Sequence, residues 1–177
     1  MSTDRPKVAF TAGLGLNGKL GPFNFQYSLV YRRVMTNIGN AYSPSTGNLF
    51  NKQEPVPGHV GVAFCDETLD LHLDCVPSFT IHVGIFTAPV SGVYFFRFTV
   101  GTESESFSSG AILYKNKQQV INIFTHDRNG KLRHYSSGAV LQLEKGDTVQ
   151  LKLETDYQIY DDEHNHNMFS GFMLFTM

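Results

Sequence analysis

The chain has 177 residues, of which 41% are hydrophobic and 13% aromatic, and its formal net charge is −2. This length fits one domain with a substantial core, and the weak negative charge excludes the basic field that nucleic acid or an anionic membrane attracts. No apolar run approaches the length of a membrane span, so membrane insertion is not expected. The 15 Phe and 8 Tyr residues favour pleated, half-buried β-strands.

Short segments that alternate between apolar and polar residues recur along the chain and predict strands. Lys7–Ala12 is the first of these segments. In Gly92–Val100, alternate residues from Tyr94 onward are predicted to share one face, and the residues between them share the other. Two further strands are predicted on either side of a turn at residues 115–117.

The C-terminal part of the chain continues this pattern. Val140–Leu143 and Thr148–Glu154 predict the clearest hairpin, because Gly146 lies in the short segment between them. Met168–Met177 predicts a final apolar strand. No segment shows the 3.6-residue period of a capped helix, so the sequence predicts an all-β sandwich or jelly roll.

One stretch, Asn48–Gly84, interrupts the pattern. It contains both cysteines of the chain, Cys65 and Cys75, and three of its seven histidines. Loops longer than about 15 residues are uncommon in compact domains, so this stretch is an atypical insertion in a single domain that spans residues 1–177. The two cysteines are compatible with a disulfide in a secreted protein or with two free thiols.

Three sequence motifs that are typical of enzymes give no support to an enzymatic function. The Gly13–Gly18 segment matches a dinucleotide-binding pattern, but Gly21-Pro22 follows at once, so no helix can begin there to face a pyrophosphate. The chain also has no Gly-x-Ser-x-Gly nucleophile motif and no His-Glu-x-x-His zinc motif. We therefore expect no catalytic residues and no enzyme activity. His126 and His134 lie in polar segments and are predicted to be solvated.

The sharpest polar cluster lies between Asp161 and Asn167, where it joins two predicted strands. Carboxylate oxygens of Asp161, Asp162 and Glu163 are ligands of the kind that calcium prefers, although the glycine and spacing of an EF-hand loop are missing. Two interpretations stay open here, a weak calcium site and a solvated turn between strands. No cofactor other than calcium is expected.

Five segments together resemble the globular C1q domain family, which belongs to the C1q/tumour necrosis factor superfamily. They follow the order of that family's motifs: Lys7–Ala12, Tyr31–Tyr42, Ile85–Phe96, Ser137–Asp147 and Phe169–Phe175. The most specific of them reads Ile-Phe-Thr-Ala-Pro-Val-Ser-Gly-Val-Tyr-Phe-Phe. Family members usually run from a Ser-Pro-Ser-Thr-Gly segment directly into the Ile-Phe pair. The insertion is therefore either a true loop, closed by a Cys65–Cys75 disulfide, or the translation of a retained intron.

The resemblance implies a ten-stranded jelly-roll sandwich of two antiparallel sheets that assembles as a homotrimer. Aromatic residues on both faces of the strands need a second surface to cover them, which a subunit interface supplies. Candidate residues for the trimer interface or the core are Tyr94, Phe96, Phe98, Phe169, Phe172 and Phe175. Relatives that bind calcium near the trimer apex add support to the calcium interpretation of Asp161–Asn167.

The resemblance also implies a function. We expect a secreted, extracellular recognition module that binds glycan, pathogen or immune ligands multivalently in innate immunity. The segment Met1–Pro6 lacks the apolar part of a signal peptide, so a missing leader and stalk is one expectation. The alternative function is a cytokine-like or synapse-organising ligand for a cell-surface receptor. In both cases the partners are further copies of this chain and a glycan, protein or receptor ligand.

Overall fold

The alternating segments form strands in the computed structural model, which describes residues 6–44 and 84–177. Within these ranges no helix is long and apolar enough to cross a membrane. The described strands are β1 (Ala9–Gly13), β2 (Gly18–Leu20), β3 (Tyr27–Ser28), β4 (Arg33–Ile38), β5 (Tyr42–Ser43), β6 (Ile85–Thr87), β7 (Gly92–Thr102), β8 (Ser109–Lys115), β9 (Gln118–Thr125), β10 (Arg133–Leu143), β11 (Thr148–Leu153), β12 (Ile159–Asp161) and β13 (Met168–Thr176).

Two antiparallel sheets make up most of the described structure. The five-stranded sheet has the order β10-β7-β13-β1-β4, and the six-stranded sheet has the order β5-β6-β11-β8-β9 with β3 paired to β11. A small third sheet pairs β12 with β2. The predicted all-β sandwich of two antiparallel sheets is confirmed. Several two- and three-residue strands bring the described count to thirteen, where the family resemblance implied ten.

The core lies between the two large sheets and is rich in aromatic rings. As predicted, alternate residues of β7 from Tyr94 onward are buried, and the residues between them lie on the other face. Phe10 of β1 stacks on Tyr42 with ring centroids 4.8 Å apart and meets Phe169 edge-on at 4.9 Å. Each aromatic pair of this kind adds about 0.5–1.5 kcal/mol to the free energy of burial. The core is therefore held by interlocked rings from both sheets.

The predicted hairpin between β10 and β11 is wrong. β10 pairs with β7 in the five-stranded sheet, whereas β11 pairs with β3, β6 and β8 in the other sheet. The intervening turn does form, since the amide of Asp147 donates to the carbonyl of Glu144 at 2.9 Å and Gly146 has a φ of 92°. It carries the chain across the sandwich instead of folding it back within one sheet.

Most of the predicted insertion, together with Cys65 and Cys75, lies outside the described residues. The described residues on either side of the gap belong to one compact unit. Strands β5 and β6 pair antiparallel, with Ser43 opposite Ile85, and the amide of Gly84 donates to the carbonyl of Ser43 at 3.0 Å. The chain therefore leaves and re-enters this unit at adjacent points.

Candidate functional site

The polar loop between β12 and β13 is the first candidate site. Asp161, the last residue of β12, is buried where this loop begins, and its two carboxylate oxygens accept hydrogen bonds from the amides of Asn167 at 3.3 Å and Gly15 at 3.2 Å. Gly15 has a φ of 75°, so the glycine-rich segment that resembles a nucleotide motif is a loop that supports this carboxylate. Asp161 is thus engaged by the backbone of its own chain.

The next two residues differ from Asp161 and from each other. The side chain of Glu163 is exposed. The backbone carbonyl of Glu163 accepts a hydrogen bond from Nη1 of Arg33 at 3.1 Å. The same guanidinium donates to Oδ1 of Asn165 at 3.1 Å, which ties the loop to the start of β4. Asp162 faces two histidines instead. The three acidic residues proposed from the sequence as calcium ligands therefore occupy three different environments.

Asp162 forms a compact group with His164 and His166. Its Oδ1 lies 3.0 Å from Nδ1 of His164 and 2.9 Å from Nε2 of His166, and all three potential ligand atoms lie within 4.8 Å of one another. The backbone amide of His164, followed by the two imidazoles, lowers the pKa of Asp162 to about 2. The carboxylate is therefore ionised at neutral pH and available as a ligand.

A fourth residue, His134 of β10, completes this cluster. Its Nε2 lies 2.6 Å from Nδ1 of His166, and the two rings have centroids 4.7 Å apart. Burial and then the proximity of His166 lower the pKa of His134, which favours the neutral ring. The sequence placed His134 in a solvated polar segment and gave no sign of this contact, because the two histidines are 32 residues apart.

The outer face of the five-stranded sheet, which points away from the core, is the second candidate site. Strand register aligns one apolar residue from each strand into a continuous row: Ile38, Ala9, Phe172, Phe95 and Val140. We call this set the apolar row. Phe172 is 43% exposed and Val140 is 60% exposed, and the rings of Phe95 and Phe172 have centroids 5.5 Å apart. A neighbouring row on the same face is largely polar: Thr36, Thr11, Ser170, Arg97 and Gly138.

Of the six aromatic residues proposed from the sequence for the interface or the core, four lie in the core and two are exposed on the surface. Four of them are fully buried between the sheets: Tyr94, Phe96, Phe98 and Phe169. Phe172 lies in the apolar row, and Phe175 is exposed opposite Val93 of β7. Sequence reasoning missed Ile38 and Val140, which become part of one surface only through the order of the strands.

The order of the strands and the aromatic core define the class of this protein as a jelly roll of the C1q and tumour necrosis factor type. The C1q domain family model matches residues 68–174. The chain belongs to the C1q domain family, as its sequence motifs predicted. Domains of this family are ligand-binding modules without enzyme activity, which confirms the expectation that this chain is not an enzyme.

Individual relatives agree with this assignment. Complement C1q tumor necrosis factor-related protein 3 of Homo sapiens and that of Mus musculus are each 35% identical over 97 residues, which is 55% of this chain. The match covers 39% of the length of each relative. This chain therefore matches well under two thirds of these longer proteins.

Solved structures share the fold at low sequence identity. The globular domain of zebrafish complement 1qA protein superposes with a TM-score of 0.56 at 18% identity, covering 97% of this chain and 100% of that one. Murine APRIL gives 0.58 at 10% identity, covering 95% and 99%. Eiger TNF from S. frugiperda gives 0.56 at 12% identity, covering 98% and 96%. These matches confirm the jelly-roll fold.

Proposed function

We propose that this chain is a secreted, trimeric recognition module that binds extracellular ligands multivalently. The observation that carries the proposal is the apolar row, because it crosses all five strands of one sheet and leaves Phe172 and Val140 exposed. Contiguous exposed apolar surface of this kind is typical of protein interfaces. Membership of the C1q domain family supports the trimeric state and the extracellular location.

A closed trimer accounts for a face that is apolar in one row and polar in the next. Cyclic symmetry brings the same face of each subunit toward a common axis, where the apolar row is covered by neighbouring subunits. The polar row, which includes Arg97 of β7 and Ser170 of the central strand β13, then supplies hydrogen-bond donors and acceptors beside the apolar contact. Three identical ligand sites follow from the symmetry.

The ligands that we propose are glycans, pathogen surfaces or immune complexes, recognised in innate immunity. The names of the relatives support this, since both the human protein and the zebrafish structure carry the word complement. Repeated ligands on a surface suit a trimer, because linked sites raise avidity by about 100- to 10,000-fold over a single site. The net charge of −2 gives no support to a nucleic-acid ligand.

A second function, a ligand for a cell-surface receptor, has its own support. The relative at 35% identity is named as a tumor necrosis factor-related protein, and one structural neighbour is a TNF. Binding assays separate the two functions. Retention on immobilised bacterial polysaccharide supports the recognition module, whereas saturable binding to cells without retention on any glycan supports the receptor ligand.

Sedimentation equilibrium tests the trimer directly. The wild-type chain should give three times its mass of 19.8 kDa. Phe172→Asp and Val140→Asp place charges at the centre and at one end of the apolar row and should each give a monomer with unchanged circular dichroism, since truncating a hot-spot residue of an interface costs about 2 kcal/mol or more. Phe124→Asp is the matched control, because Phe124 is 54% exposed but lies on β9 of the other sheet.

Two outcomes would count against the proposal. A wild-type chain that sediments as a monomer at micromolar concentration refutes the trimer. If the trimer persists in Phe172→Asp and Val140→Asp but is lost in Phe124→Asp, the interface lies on the six-stranded sheet instead. If the trimer forms as expected, Val140→Asp should also lose most of its retention on a dense polysaccharide, because avidity depends on three linked sites.

A further inference from the structure

The cluster at the end of β12 has the composition of a transition-metal site. Its three potential ligand atoms are one carboxylate oxygen and two imidazole nitrogens, and Oδ1 of Asp162 lies 2.9–3.0 Å from both nitrogens. Ligands bound to one zinc ion at about 2.0–2.2 Å in tetrahedral geometry are separated by little more than this. All three atoms lie within 4.8 Å of one another, so binding one ion requires the exposed side chain of His164 to move toward His166 while Asp162 stays almost in place.

One of these atoms has no hydrogen-bond partner. Nε2 of His166 is buried and lies 2.9 Å from Oδ1 of Asp162, a contact that does not count as a hydrogen bond by geometry. Among the described residues nothing else bonds to this nitrogen. Buried polar atoms without partners are costly and are often satisfied by an ion or a water molecule. A metal ion coordinated by Nε2 would remove this cost.

We propose that Asp162, His164 and His166 bind a divalent zinc ion and leave its fourth position open to solvent. The open position follows from the exposure of the site, because the side chain of His164 is 71% exposed whereas that of His166 is 11% exposed. Imidazole ligands suit zinc, while calcium takes six to eight oxygen ligands. The loop thus favours zinc over the calcium ion that the acidic residues suggest.

His134 acts as a positioning residue for this site. When Nε2 of His166 coordinates the metal, its Nδ1 carries the proton and can donate it to Nε2 of His134 at 2.6 Å. Hydrogen bonds of this kind fix the tautomer and the orientation of a metal-bound histidine, and their loss weakens metal affinity by about 10- to 100-fold. His134 therefore orients the most buried ligand without touching the metal.

Histidine-ring NMR of the whole chain, titrated with zinc alone, tests the site residue by residue. The expected result is that zinc shifts Nδ1 of His164 and Nε2 of His166 and leaves Nδ1 of His166 protonated. His126 is an internal control, since it bonds to Ser108 and lies outside the cluster. Residues 48–84 carry two cysteines and three histidines, which are residue types that bind zinc, so total zinc uptake does not decide the question.

Variants separate the roles of the residues. His164→Ala removes an exposed ligand without disturbing the core and should weaken zinc binding, read at the His166 ring, by more than about 100-fold. His134→Phe should weaken it by about 10-fold, and His126→Gln should leave it unchanged. Unshifted His164 and His166 rings at saturating zinc overturn the proposal. So does a shift of the Asp162 amide by calcium that zinc does not reproduce.

Discussion

Replacing Asp161 by Ala tests whether this carboxylate holds the loop in place or binds a cation. In the structure its two oxygens accept hydrogen bonds from the amides of Gly15 and Asn167, which join the β1–β2 loop to the start of β13. The side chain is buried, and no salt bridge to it occurs among the described residues. Both amides would lose their partner in the Asp161→Ala variant.

The size of the effect follows from these two bonds. A hydrogen bond to a charged group contributes about 1.5–3 kcal/mol, so two such bonds set an upper range of about 3–6 kcal/mol. Removing the buried charge also removes its desolvation cost, so the net loss should fall near the lower end, at about 3 kcal/mol. For a chain of this size such a loss lowers Tm by about 6–12 °C.

Thermal unfolding in a chelating buffer, at one fixed chain concentration, measures this loss. Glu163→Ala is the matched control, because its exposed side chain should change stability by less than about 0.5 kcal/mol. An Asp161→Ala variant as stable as the control in chelator would refute the structural role. If calcium raised Tm of the wild type but not of Asp161→Ala, the cation interpretation from the sequence would replace it.

Three further predictions concern two tyrosines of the core and the insertion. Tyr31→Phe should raise the free energy of unfolding by about 1 kcal/mol, because this buried hydroxyl has no hydrogen-bond partner among the described residues. Tyr42→Phe should lower the free energy of unfolding, since the Tyr42 hydroxyl makes two hydrogen bonds of 3.0 Å to the backbone of Tyr31. Urea unfolding measures the direction of the change for both variants. Deleting residues 48–84 should leave a folded domain by circular dichroism, because Ser43 and Ile85 are register partners and a four-residue loop can join them.

Local alternation was sufficient to predict most strands and the buried face of β7, because a two-residue period determines which side chains share a face. The partner of each strand was harder to predict. The Glu144–Asp147 turn has the residues of a hairpin, but the same residues serve a turn that crosses between sheets. The choice depends on contacts of β10 with β7 and of β11 with β8, which lie far apart in sequence.

The candidate site was predicted only in part for a similar reason. The acidic residues of the loop are consecutive in the sequence and suggested a cation, and Asp162 does lie at the centre of the cluster. The histidines change the chemistry of the site, and their arrangement depends on an irregular loop that follows no strand period. His134 joins them only because β10 and β13 flank β7 in the same sheet.

The two proposed sites lie on one face of the protein but can be tested independently. His134 and Val140 have the same parity on β10, so both point outward from the five-stranded sheet. Six residues of extended strand separate them by about 20 Å, and substitutions this far apart usually act additively. Val140→Asp should therefore abolish the trimer and leave the zinc-induced shift of His166 intact. If that shift also disappeared, a neighbouring subunit would have to contribute to the metal site.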